Sequence, residues 1–238
     1  MADASARCKR SSTSSWIRRA GHRACWATKG LHVRKPLHYI AIEGPLRVGK
    51  SKLAAALAER LRGRAIFDER SNPHLGGFYT GRPGAAFRTQ MHFLLRRFRQ
   101  CSEAGIEASQ IPVVADYLFE RDKIFAYLNL DDDEILIYDS YYRTFKSQLP
   151  VPGLTVYLKA TPELLRRRVS TGPESNVSDA YLEAMVRAFD HFFSKYDPME
   201  LIVVDAAQTD ILSRPDDLQA LVEEVSRPVI GSQALLPI

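Results

Sequence analysis

The stretch Tyr39-Ile40-Ala41-Ile42-Glu43-Gly44-Pro45-Leu46-Arg47-Val48-Gly49-Lys50-Ser51 decides how this chain folds. Its first four residues are a short continuous apolar run, as expected of a strand buried on both faces. Gly44 to Ser51 then fits the spacing G-x-x-x-x-G-K-[ST], and residues 50–62 put Leu53, Leu57 and Leu61 on one helical face. Strand, glycine-bounded turn and helix in that order make an anion cradle. The glycines let backbone N–H groups turn inward, and the helix start adds its partial positive charge. Gly44, Pro45, Leu46, Arg47, Val48, Gly49, Lys50 and Ser51 are therefore the expected triphosphate-binding residues. Lys50 reaches the β- and γ-phosphates and the Ser51 hydroxyl ligates Mg²⁺. The competing reading is a strand-to-helix turn of no function, but such a turn has no structural need for a lysine at the helix start.

Working outward, short apolar runs alternate with helical patterns. Strands are predicted at 65–67, 112–115, 154–158 and 201–204 besides the one ending at Ile42. Helices are predicted over 50–62, 84–103, 132–147, 162–169, 178–195 and 215–225. Continuous apolar strands separated by helices predict an α/β fold of P-loop NTPase type: a five-stranded parallel sheet with helices on both faces. Residues 170–177 form a loop rich in turn formers. One domain is expected over 37–230, followed by a tail at 231–238.

Of the 238 residues, 45% are hydrophobic and 26% charged, which excludes a disordered chain, and no window is apolar enough to span a membrane. Three widely spaced cysteines suggest neither a disulfide scaffold nor a zinc site. The net charge of +5 is unevenly placed: residues 1–36 carry nine Lys/Arg and one acid, and the rest carries 24 Lys/Arg against 27 Asp/Glu. The body is mildly acidic, so no nucleic-acid polymer is expected as partner. The Ser/Arg-rich segment 1–36 lacks apolar periodicity and is read as a disordered extension of a cytoplasmic protein. Its composition also matches an organellar transit peptide, which would change the location.

Asp116 ends the apolar run 113–115, at the edge where open α/β sheets place ligands, and is a second candidate Mg²⁺ ligand beside Ser51. Asp68 and Glu69 end the second strand at the same edge. A carboxylate there can take the proton of an attacking hydroxyl, and spacing does not choose between the two.

Further segments resemble bacterial-type deoxynucleoside kinases. They are Asn72-Pro73-His74-Leu75-Gly76-Gly77-Phe78-Tyr79, the run from Phe87 to Phe98, the run from Asp116 to Ala126, Leu149-Pro150-x-Pro152, and Tyr181-Leu182. The resemblance spans about residues 38–205. It implies transfer of the γ-phosphoryl group of ATP to the 5′-hydroxyl of a deoxynucleoside, with Mg²⁺, in a homodimer. It also implies that Gln90, Arg97 and Asp122 read the base and that Tyr79 and Glu174 meet the sugar hydroxyl. Arg167 and Arg168, in the stretch 166–168 leading to the lid, would neutralise charge on the transferring group. Seven residues separate Gln90 from Arg97, so they share one face of the long helix. The resemblance further implies an acceptor that is a purine deoxynucleoside or deoxycytidine.

Three departures stand out. The family's R-x-G-R lid motif is missing at 169–173, and the segment before Asn72 is about one residue short. Tyr117 occupies a position where animal-type members have arginine, which places the chain with the bacterial branch. Two rival readings stay open at this point. One is a nucleoside-monophosphate or small-metabolite kinase, for which Arg82, Arg88 and Arg97 are candidate phosphate binders. The other is a catalytically weak nucleotide-binding module.

Overall fold

The computed structural model describes residues 17–20, 38–69, 71–170, 177–196, 200–209, 211 and 213–227. Five parallel strands form the centre: β2 (Tyr39–Glu43), β3 (Arg64–Ile66), β4 (Val113–Ala115), β5 (Leu154–Lys159) and β6 (Leu201–Asp205). The expected five-stranded parallel sheet is therefore present. It is extended by β1 (Ile17–Ala20), which pairs antiparallel with β6 and gives the order β1-β6-β5-β2-β4-β3. This corrects the expectation that residues 1–36 are wholly an extension without structure. Pairing at a sheet edge is made by backbone groups and needs little side-chain pattern, and Ile17 adds a buried apolar side chain. The rest of that segment lies outside the described residues.

Eight helices connect and cover the strands among the described residues: α1 (Lys50–Arg60), α2 (Leu75–Tyr79), α3 (Ala85–Glu103), α4 (Arg121–Asn129), α5 (Asp132–Lys146), α6 (Pro162–Val169), α7 (Asp179–Lys195) and α8 (Pro215–Ser226). None is long and apolar enough to cross a membrane. Their starts follow local chemistry. Asp131 caps α5 in a reciprocal box with Glu134, Thr161 caps α6 ahead of Pro162, and Ser178 caps α7.

The buried apolar residues form two cores, the first of which reaches both faces of the sheet along β2 and β5. Alternation along β4 sends Val114 to one core and Val113 and Ala115 to the other. The first core packs α1, α7 and α8 through Leu53, Leu57, Met185, Phe189 and Leu221. The second packs α3 and α5 through Leu94, Cys101, Tyr138 and Tyr142. The chain runs from β2 to β3 on one flank and later returns to β5 on the other. Such a reversal opens a crevice at the carboxyl edge of the sheet. Asp68 and Asp116 stand just past the carboxyl ends of β3 and β4, and the phosphate loop leaves that of β2.

Candidate active site

The donor side of the crevice is built mainly from backbone. Gly44 passes so close to β5 that a Cβ there would lie 2.5 Å from the carbonyl oxygen of Leu158. Arg47 at φ 58° and Gly49 at φ 107° turn the chain into a concave nest, and α1 starts immediately after it. Lys50 Nζ donates to the carbonyl oxygens of Gly44 at 2.6 Å and Pro45 at 2.8 Å, so its charge lies on the loop. Burial pushes this amine down to about 8, and the nearby Arg121 charge adds to the effect against the opposing pull of Glu43. The Ser51 hydroxyl donates to Asp116 Oδ2, and Asp116 Oδ1 accepts the backbone N–H of Asp68 at 2.6 Å.

Ser51 and Asp116 thus present a hydroxyl and a carboxylate side by side next to the loop. Among the described residues no three His, Cys, Asp or Glu side chains gather to hold a metal. This donor set fits Mg²⁺, which takes few protein oxygens and completes its shell with phosphate and water.

The acceptor side is built from side chains. Arg97 grips Asp68 bidentately, Nε to Oδ1 and Nη2 to Oδ2 both at 2.9 Å, and Arg121 Nη1 adds a contact at 3.2 Å. Burial opposes ionisation of Asp68, but Arg97 and Arg121 outweigh it and hold the carboxyl at about 2. The remaining arm of Arg97, Nη1, meets Asp122 Oδ1 at 2.6 Å. Gln90 Nε2 donates to the same oxygen at 2.5 Å and to the Asp122 carbonyl at 3.0 Å. Asp122 is fully buried, and its Oδ2 has no hydrogen-bond partner among the described residues. Burial pushes it up to about 6 against the pull of Arg97 and Arg121. The two aspartates share one arginine yet move in opposite directions. Asp68 holds two of its N–H groups and a second cation, while the fully buried Asp122 holds one.

Both sides open on one cavity of about 740 Å³. From the loop, Leu46 to Ser51 border it, and Gly44 and Pro45 do not. Asp68, Tyr79, Gln90, Arg97, Asp116, Asp122, Arg167 and Arg168 all border it too, so residues from scattered segments line one cavity. Its apolar walls include Phe78, Phe93, Phe125 and Tyr181, and Arg97 lies 4.9 Å from the Phe93 ring centroid. Arg168 Nη1 donates to the Val48 carbonyl at 2.7 Å, whereas Arg166 turns away to Asp179.

Glu69 does not border the cavity and pairs with Arg96 on the surface. Of the two carboxylates left open by spacing, Asp68 is the one in the site. Glu174 lies outside the described residues.

Sequence reasoning missed two residues. Glu43, fully buried at the end of β2, accepts the N–H of Gly44 at 2.7 Å and of Leu118 at 2.9 Å. A charge closing a continuous apolar strand was the signal for it. Arg121 stands in the first turn of α4, where the helix dipole disfavours a cation, and that misplacement was its signal.

A family model described as deoxynucleoside kinase matches residues 40–230. A deoxyguanosine kinase of Bacillus subtilis is 28% identical over 204 residues, covering 81% of this chain and 98% of that protein. A deoxyadenosine kinase of Dictyostelium discoideum is 30% identical over 211 residues, covering 82% of this chain and 85% of that one. A solved structure of deoxyadenosine kinase from M. mycoides, with the products dCMP and a flexible dCDP bound, superposes with a TM-score of 0.68. It has 21% identity and covers 79% of this chain and 98% of its own. With the nest, the paired carboxylates and the single cleft already described, the match over residues 40–230 means that the chain belongs to the deoxynucleoside kinase family.

Proposed function

We propose that this kinase phosphorylates the 5′-hydroxyl of a purine deoxynucleoside or deoxycytidine, with Asp68 receiving the hydroxyl proton. The observation that carries this reading is the position of Asp68. Its backbone N–H is bonded to Asp116 beside the phosphate loop, and its carboxylate is bonded to Arg97 beside the base-reading cluster. One residue thus touches both halves of the cleft, where the acceptor oxygen has to meet the γ-phosphorus.

The loop amides and Lys50 hold the triphosphate, and Lys50 gives up its carbonyl partners to do so. Ser51 and Asp116 would hold Mg²⁺, which when bound would supply neutralisation of phosphate charge. The 5′-oxygen forms a bond to the γ-phosphorus, the bond from that phosphorus to the bridging oxygen breaks, and ADP leaves with the electron pair. The hydroxyl proton passes to Asp68. Held at about 2, Asp68 is ionised throughout the working range, so it accepts and orients the O–H rather than competing for its proton early. Arg167 and Arg168 border the cavity near the loop and neutralise charge on the equatorial oxygens.

Base choice follows from Asp122. A carboxylate oxygen without a donor suits an exocyclic amino group, which adenine, guanine and cytosine have and thymine lacks. The deoxyguanosine and deoxyadenosine kinases among the relatives agree with that preference. An acceptor that already carries a phosphate is disfavoured. Arg82 and Arg88 do not border the cavity, and Arg97 is committed to two carboxylates.

A homodimer is part of the proposal. Leu95 on α3 and Leu136, Ile137 and Tyr141 on α5 expose large apolar side chains on two helices that pack together, a surface suited to a second copy.

Purified protein given Mg·ATP and each of the four deoxynucleosides should release ADP with at least one amino-bearing base and least with thymidine. Silence on all four with ATP binding intact would overturn the reading.

A further inference from the structure

Among the described residues, Glu43 is the one fully buried acid that the reaction as described leaves without work. It has two jobs in the structure. Its carboxylate fixes the first amide of the phosphate loop and the amide of Leu118, joining the end of β2 to the segment that leads into α4. It is also the shared counter-ion of two cations: Lys50 Nζ lies 3.8 Å and Arg121 Nε 4.0 Å from the same oxygen, Oε1. Neither is within hydrogen-bond distance, and Arg121 Nε is buried with no acceptor in reach among the described residues. Each of the two cations has a second attachment on its own side of the cleft. Lys50 is tied to the loop carbonyls and Arg121 Nη1 to Asp68.

To reach a triphosphate, Lys50 has to leave this group, and a fully buried carboxylate cannot cheaply lose half its compensation. Arg121, whose Nε already faces Glu43, is the cation placed to make it good. Any shift of that guanidinium toward Glu43 lengthens its contact with Asp68.

We propose that Glu43 is a positioning residue that couples the two halves of the cleft: as Lys50 moves onto the phosphates, Arg121 closes on Glu43 and releases Asp68 Oδ2 to accept the 5′-hydroxyl. Arg97 keeps its bidentate hold meanwhile, so Asp68 gains a free lone pair without losing its place. The donor nucleotide then prepares the acceptor site, and by linkage the acceptor tightens the donor by the same factor. This rests on the assignment of Asp68 made above.

The test is calorimetric, on the full chain with Mg²⁺, a non-hydrolysable ATP analogue and a deoxynucleoside that the enzyme turns over. In the wild type, saturating analogue should tighten deoxynucleoside binding about 10-fold, within the usual range of coupling between sites. Glu43→Gln keeps the shape and one amide acceptor but removes the charge, and should bring the factor close to one. Arg121→Met should do the same, and the double variant should go no further than either alone, because the two act in one relay. If Glu43→Gln does not fold, Arg121→Met decides. Coupling that persists in the folded variants, or is absent in the wild type, overturns the inference while leaving the kinase assignment intact. Failure of every deoxynucleoside to bind the wild type would instead overturn the assignment beneath it, and the inference with it.

Discussion

On the donor side, from Gly44 to Ser51, positive potential comes from backbone amides, one helix start and one lysine, all within eight consecutive residues. On the acceptor side, Asp68, Gln90, Arg97 and Asp122 come from β3's end, α3 and α4, and meet only because the sheet and helices pack as they do. The first half is a local structure that a short stretch of chain can specify. The second is a buried network of charges, held by long-range contacts and costly to leave half made. The difference teaches where each half is vulnerable. A donor-side side chain can be removed with little loss of folding, whereas an acceptor-side change strikes stability and chemistry together.

The largest expected effect is on the donor side. Lys50→Ala should lower kcat by about 10⁴, the scale of losing a cation that stabilises the transferring group, while the urea midpoint of unfolding falls by less than for the acceptor-side changes below, because Arg121 remains to compensate Glu43. A large drop in that midpoint would break the contrast.

Asp68→Asn comes next, with a loss of about 10³ in kcat, as for removal of a proton acceptor. It should also destabilise the fold, because Arg97 and Arg121 lose a shared counter-ion.

Arg97→Met tests the network itself. It leaves Asp68 and Asp122 buried without their common partner, and breaking such a pair costs about 3–5 kcal/mol. Chemical denaturation should show that loss, and the KM for the deoxynucleoside should rise more than that for ATP.

A pH series sharpens the comparison further. Asp122 is raised from the ordinary 3.8 to about 6, so the folded state holds its proton more tightly than the unfolded chain does. Its contribution to stability is fully present below 3.8 and lost as pH rises through about 6. Asp68 is depressed from 3.8 to about 2, so its contribution is present above 3.8 and lost as pH falls through about 2. Asp122→Asn should therefore flatten the decline in unfolding midpoint between pH 4 and 6, a window set by those two values. An unchanged slope would contradict the raised value. The smallest effect belongs to Glu69→Gln, which breaks only a surface pair with Arg96 and should leave turnover close to wild type.

This division also explains what could be read from the chain alone. The phosphate loop, the five parallel strands and six helices carry their signal in contiguous residues. Gln90 and Arg97 were legible as a pair because a helix converts their spacing of seven into a shared face. Arg97 with Asp122 came from the family resemblance, since nothing local brings α3 to the start of α4. Three elements went unread. α2 has only five residues, two of them glycine, so its propensity is poor. α4 is short and weakly amphipathic, and β1 is defined by backbone pairing at an edge. Glu43 and Arg121 were missed for a related reason: burial of a charge is a property of the assembled fold. Choosing Asp68 over Glu69 likewise needed the direction of the chain leaving β3.

One consequence of β1 concerns how the enzyme is handled. Because that strand runs opposite to β6, with Ile17 beside Val204, Ile17 itself stands at the same rim of the sheet from which the triphosphate cradle opens. A fluorescent label attached at residue 17 would be anchored on the side where nucleotides come and go, so kinetic constants should be taken from protein that carries nothing there.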